Sequence, residues 1–149
     1  MQKFVLDANC FIAASRSDED ATLLEIFVDR AAPGLYLSTV VAAELRAGTT
    51  RIRDVSKLEK TVFNAYYKRR RVINPSPAAW EAPGKTLAWL VRNEGITLRT
   101  TPRSFMFDIL LAYSCRELGA VLISSNERDL RRIRQVFTFD FAPPYPDLR

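Results

Sequence analysis

Short apolar runs alternate along the chain with longer stretches whose apolar residues return every three to four positions, the pattern of buried strands separated by amphipathic helices. Phe4-Val5-Leu6 is the first run and ends at Asp7-Ala8-Asn9, which puts a carboxylate at the C-terminal end of a predicted strand. From about 20 to 32, Leu23, Leu24, Ile26, Phe27 and Ala31 fall on helical spacing. Pro33-Gly34 stops that helix before a second strand at Leu35-Tyr36-Leu37. Ser38, whose hydroxyl can accept from a free backbone N–H, then caps a helix through Val40, Val41, Glu44 and Leu45 that ends at Gly48.

A long amphipathic helix is predicted over about 53–71, with Val55, Leu58, Val62, Phe63 and Tyr66 inward. Another follows over 76–93 with Trp80, Leu87 and Leu90 inward, set apart by Pro75 and Pro77. The clearest helix-to-strand unit is 105–118, closed by Gly119 and followed at once by Ala120-Val121-Leu122-Ile123. A short helix over 126–133, a last strand at Val136-Phe137-Thr138-Phe139 and an irregular tail at 143–146 complete the pattern. Strands alternating with helices define an α/β class with a mostly parallel sheet covered by helices on both faces. The 149 residues, 48% hydrophobic, suffice for one domain spanning 1–149.

Charge adds a direction. Lys and Arg number 22 against 17 Asp and Glu, a net +5, which favours polyanions such as nucleic acid. The chain contains no histidine, so the commonest general base, a Ser-His-Asp triad and imidazole metal ligands are all excluded. No apolar run approaches the ~20 residues that span a bilayer, and Met1-Gln2-Lys3 opens no signal peptide, so the expected location is the cytoplasm. Cys10 and Cys115 sit in apolar surroundings without ligand spacing and read as buried reduced thiols.

Three acids interrupt apolar sequence: Asp7 after Phe4-Val5-Leu6, Glu44 after Val40-Val41-Ala42-Ala43, and Asp108 between Phe105-Met106-Phe107 and Ile109-Leu110-Leu111. Buried carboxylates are costly unless paired or bound to metal. In an open α/β sheet, strand C-termini and the adjoining helices converge on one crevice, where Asp7, Glu44 and Asp108 can meet; Asn126 and Asp129 follow another strand end. An all-oxygen donor set favours Mg²⁺ or Mn²⁺, and such a site suits phosphodiester hydrolysis. Read singly, each acid has a plainer role. Asp7 would cap the next helix, Asp108 would favour a helix dipole, and Glu44 would pair with Arg46 or another base.

With those residues in view, the chain resembles the PIN-domain nucleases and, within them, the VapC-type toxins of bacterial toxin–antitoxin pairs. Phe4-Val5-Leu6-Asp7-Ala8-Asn9 is similar to that family's first strand and acid. Leu37-Ser38-Thr39-Val40-Val41-Ala42-Ala43-Glu44-Leu45 is similar to its strand, hydroxyl and Glu-bearing helix. Asp108-Ile109-Leu110-Leu111-Ala112 through Gly119 to Ser124-Ser125-Asn126-Glu127-Arg128-Asp129-Leu130 is similar to its third acid, helix, strand and closing signature. Ser124 stands where Thr is common, Leu130 where Phe is common, and Asn126 where many relatives carry Asp.

The resemblance implies a three-layer PIN-like fold and an endoribonuclease in which Asp7, Glu44 and Asp108 bind Mg²⁺ or Mn²⁺, Asp129 or Asn126 completing the shell. Asn9 and Ser124 would orient Asp7 and the metal's water, or serve only as a turn residue and a helix-start hydroxyl. A cognate antitoxin and a homodimer are implied as partners. Two basic groups are candidates for RNA phosphates, Arg128, Arg131, Arg132 and Arg134 near the acids, and Lys68, Arg69, Arg70 and Arg71 at a helix end. A DNA or flap nuclease and a non-cleaving PIN-like RNA- or protein-binding scaffold are the competing expectations. Gly84-Lys85-Thr86 imitates a P-loop, yet position 79 is Ala, and the segment reads as helix. Trp80 and Trp89 read as core or partner-contact residues.

Overall fold

In the computed structural model, which describes residues 1–49 and 52–148, the apolar runs Phe4-Val5-Leu6 and Ala120-Val121-Leu122-Ile123 pair as parallel strands β1 (Lys3–Leu6) and β4 (Ala120–Ile123), Val5 opposite Leu122. On the other side of β1 lies β2 (Leu35–Ser38), with Phe4 opposite Leu35. Two short strands complete a five-stranded, all-parallel sheet in the order β3-β2-β1-β4-β5, with β3 at Val72–Ile73 and β5 at Asp140–Ala142. The chain builds outward from β1 through β2 to β3, then crosses to β4 and β5. The order therefore reverses between β1 and β4, the place where open parallel sheets form their crevice.

Side chains alternate across β1 as a sheet covered on both sides requires. Val5 joins a core with Leu37, Val41, Ile109, Leu122 and Ile133. Phe4 and Leu6 join Phe27, Ala31, Leu35 and Ile123 on the opposite side. The first core is covered by α3 (Thr39–Gly48), α7 (Arg103–Leu118) and α8 (Glu127–Arg134), the second chiefly by α2 (Asp18–Ala31). Ser38 caps α3 by accepting from the Val40 N–H at 3.1 Å, and Gly119 closes α7 in the left-handed region at φ 73°. Cys10 and Cys115 are buried and unpaired. No helix among the described residues is long and apolar enough to cross a membrane.

Besides β3, which the pattern did not predict, three elements depart from it. Residues Ala8–Arg16, for which periodicity predicted nothing definite, form α1, and Ser17 separates it from α2 by accepting from the Asp20 N–H. The long helix expected over 53–71 is α4 (Ile52–Leu58), a π-helical stretch at Glu59–Phe63 and α5 (Asn64–Lys68). It ends three residues early, because Arg70 turns into the left-handed region at φ 55° and Arg71 hands its carbonyl to the Leu37 N–H at 2.8 Å. The last strand is Asp140–Ala142, not 136–139. Val136 and Phe137 both donate their N–H to the Ile133 carbonyl, so those amides are spent on the turn after α8. The apolar alternation there is instead a ladder of rings, Phe137 on Phe139 and Phe139 on Phe141, each with centroids 5.6 Å apart. The Gly84-Lys85-Thr86 segment lies within α6 (Pro77–Glu94), as its context predicted.

Candidate active site

Asp7 and Asp129 sit where a strand end leads into a helix, whereas Glu44 and Asp108 lie in the second turns of α3 and α7, the latter following α6 and a loop. Asp7 follows β1 and is the N-cap of α1, its Oδ1 accepting from the Ala8 N–H at 2.7 Å. Capping is thus one of its roles. Its other oxygen, Oδ2, points across the strand-order reversal to β4 and accepts from the Ser124 hydroxyl at 2.7 Å and the Asn9 amide at 3.1 Å. Ser124 is itself fixed, its Oγ accepting from Asn9 Nδ2 and from the Asn126 N–H, both at 3.0 Å. Asn9 Oδ1 in turn accepts from the Ser125 N–H at 3.3 Å. Asn9 and Ser124 therefore orient one carboxylate from both sides of the crevice.

Glu44 lies half-buried on α3, and Asp108 half-buried on α7. Arg46 does not neutralise Glu44. Its guanidinium pairs instead with Glu59 of the π-helical stretch, at 2.6 Å, and lies over the Phe63 ring. Among the described residues no lysine or arginine forms an ion pair with Asp7, Glu44 or Asp108. Asp108 receives the Asn126 amide on Oδ2 at 2.9 Å. Asp129, in the first turn of α8, is held differently, with Arg132 at 3.4 Å from its Oδ1.

The electrostatics link these acids to one another. Burial, then the negative charges of Asp7, Glu44 and Asp129, push Asp108 up to about 8, while the Asn126 hydrogen bond pulls the other way. Burial and the Asp7 charge push Glu44 up to about 7. Asp7 is also raised, by burial above all, against the lowering effect of Ser124 and Ala8. The acids of β1, α3, α7 and α8 thus share one field, and it is a repulsive one. Among the described residues no three of them are drawn in tightly enough to hold an ion as they stand. A set of oxygen donors that disfavour one another's charge, with no histidine or cysteine among them, nevertheless matches the chemistry of Mg²⁺ or Mn²⁺. Asp7, Glu44 and Asp108, with Asp129 or Asn126 beside them, are the candidates to hold such an ion.

The basic candidates divide. Arg131 pairs with Glu127, Arg134 lies over the Phe141 ring, and Arg132 is shared between Asp129 and Glu94 while covering the Phe105 ring. Arg128 makes no ion pair among the described residues, and with Arg132 and Asp129 it lines a polar cavity that Thr97, Thr100, Thr101 and Ser104 complete. Arg69 lines a separate apolar groove with Phe11, Leu24, Val28 and Tyr66, which none of the four acids borders. Lys68 and Arg70 are exposed, and Arg71 is bound to the Tyr36 hydroxyl and lies over its ring. Sequence reasoning missed Glu94, whose bridge to Arg132 spans 38 residues and leaves no local signal. Of the two readings given for Trp80, core or partner contact, the first does not hold, since the residue is 56% exposed and belongs to no core cluster.

The PIN domain family model matches residues 4–136, and the chain belongs to that family. Its fold is also that of several solved structures. One is described as DNA-bound VapBC from Salmonella typhimurium (20% identity, TM-score 0.68, covering 97% of this chain and 100% of that one). Another is VapBC2 from Rickettsia felis bound to a promoter DNA fragment (20%, 0.64, covering 95% and 98%). A third is FitAcB from Neisseria gonorrhoeae (13%, 0.66, covering 95% and 97%). No curated protein sequence matches significantly.

Proposed function

We propose that this chain is a metal-dependent endoribonuclease acting as the VapC-type toxin of a type II toxin–antitoxin pair. The observation that carries this reading is the set of half-buried and buried carboxylates without a counter-cation of their own: burial raises Asp7, burial and the Asp7 charge raise Glu44, and burial with the charges of Asp7, Glu44 and Asp129 raises Asp108. Asp7, Glu44 and Asp108, with Asp129 or Asn126, would hold Mg²⁺ or Mn²⁺; the ion would supply an ionised water at neutral pH and offset charge developing on the phosphate. Ser124 and Asn9 keep Asp7 Oδ2 turned into the crevice, and Asn126 does the same for Asp108. Arg128 and its α8 neighbours offer cations to the strand beside the acids, with Lys68, Arg69 and Arg70 as a more distant basic group. The likeness to VapBC structures supports a cognate antitoxin as partner, and the family resemblance a homodimer and a cytoplasmic location.

The test is cleavage of single-stranded RNA by the purified chain in Mn²⁺ or Mg²⁺, against Asp7→Asn and Asp108→Asn. Each substitution is expected to lower the rate at least a hundredfold, and a chelator to abolish it, with growth arrest on expression of the wild type alone. Equal rates or equal growth would refute the enzyme. A non-cleaving scaffold is favoured by one observation, the Asn126–Asp108 hydrogen bond where a fourth acid is common. RNA binding by a chain that cuts nothing in either metal would establish it.

A further inference from the structure

The polar cavity bordered by Arg128 measures about 430 Å³ and is enclosed by the loop that joins α6 to α7, the first turn of α7 and α8. Its lining has only Ser104 in common with the apolar recess at Trp80 and Phe107, so its use does not depend on that apolar face being free. The two acids at this cavity, Asp129 in the wall and Glu94 beside Gly95, are both met by Arg132, at 3.4 and 3.3 Å. Arg128 is left without an acid of its own. Arg99, next to Thr100 in the chain, and Arg103, next to Ser104, are likewise exposed and outside every ion pair among the described residues. Thr101 spends its hydroxyl on the Thr97 carbonyl at 2.7 Å and ties the loop, whereas the Ser104 hydroxyl bonds to no described residue and is free to donate. Two elements join the cavity to the acids. Ser104 and Asp108 stand four residues apart on α7, hence on one face and about 5.4 Å apart along the axis. Asp129 belongs to the wall, and its charge is felt at Asp108.

We infer that this cavity is a phosphate subsite, in which Arg128 and the Ser104 hydroxyl grip a backbone phosphate of the RNA close to the bond being cut. This rests on the ribonuclease reading of the acids. A phosphate only accepts hydrogen bonds, and the wall offers it a guanidinium fork and a free hydroxyl. Arg132 is a positioning residue here, offsetting the Asp129 charge that would repel the anion. Arg99 and Arg103 extend the cationic path along the loop that precedes α7. An acidic protein segment would be drawn by the same charges, but it would gain nothing from lying one helical turn from Asp108.

The experiment measures binding of single-stranded RNA to the full chain in chelator, which stops cleavage, using RNAs that carry one neutral methylphosphonate linkage at successive positions. The wild type is compared with Arg128→Ala, Arg128→Lys and Ser104→Ala. Arg128→Ala is expected to bind ordinary RNA about tenfold more weakly, the usual worth of a charge-assisted hydrogen bond, and Ser104→Ala about threefold more weakly. Arg128→Lys should recover part of the loss. At one position the neutral linkage should weaken the wild type about tenfold and leave Arg128→Ala indifferent, since the contact is already gone. In Mn²⁺ the Arg128→Ala loss should appear in KM, with kcat little changed. An Arg128→Ala chain that feels every neutral linkage as the wild type does would overturn the proposal. So would full RNA binding by Arg128→Ala together with loss of polyglutamate binding, which would give the cavity to protein carboxylates. If the wild type cuts no RNA in either metal, the nuclease reading fails on its own, and the linkage scan in chelator still decides whether a phosphate sits at Arg128.

Discussion

Asp108 shows at the scale of one residue how a site of like charges costs stability. Its carboxyl is pushed up to about 8, so between roughly pH 4 and 8 the folded chain holds a proton that the unfolded chain has released. Stability from this group is therefore full at low pH and lost as pH rises through the folded value. Glu44, raised to about 7, acts in the same direction over a narrower window. In metal-free buffer the melting temperature of the wild type is expected to fall between pH 5 and pH 8 more steeply than that of Asp108→Asn. At pH 8 the Asn variant should melt at least about 3 °C higher, the shift that ~1 kcal/mol produces in a chain of this size. Parallel pH curves for the two proteins would show that Asp108 carries no such strain. The same residue explains why the site was legible early: an acid between Phe107 and Ile109 is out of place in a helix unless something else pays for its burial.

Among the elements, those marked by a local cap or stop signal were legible and the shortest strand was not. Ala120-Val121-Leu122-Ile123 after Gly119 announced a buried strand, and Ser38 before an apolar helix announced its cap, because local chemistry decided both. Val72–Ile73 has only two residues, too few for any period, and exists because Arg71 turns its carbonyl to β2. The fifth strand was misplaced because Phe137 and Phe139 alternate like strand residues while their segment is still completing the turn from α8. The contacts that join Asp7 to Ser124 and Asp108 to Asn126 span 117 and 18 residues; the first was anticipated only through the family resemblance, and the second left no signal in the sequence. One junction makes a sharp prediction. A Cβ on Gly34 would stand 2.0 Å from the Gln2 carbonyl oxygen, backbone against backbone, where β2 begins beside β1. Gly34→Ala is expected to destabilise the fold by about 1–3 kcal/mol or more, read by urea denaturation. A variant as stable as the wild type would mean the two strands can part there at little cost.

For the whole molecule, a net charge of +5 surrounds an acidic crevice, so in the proposed nuclease attraction to a polyanion and catalysis on it fall to different residues. Binding of single-stranded RNA should weaken with salt. Arg128→Ala should reduce the slope of log Kd against log salt by about 0.7, the share of one phosphate contact, without altering the pH behaviour traced to Asp108. An unchanged slope would take Arg128 out of the binding surface. The sheet has one more consequence. Its outermost strands, β3 and β5, are two and three residues long. Rims that short expose too few unpaired peptide groups to template a foreign strand, so the native protein is guarded against edge-to-edge aggregation even when it is crowded at high concentration.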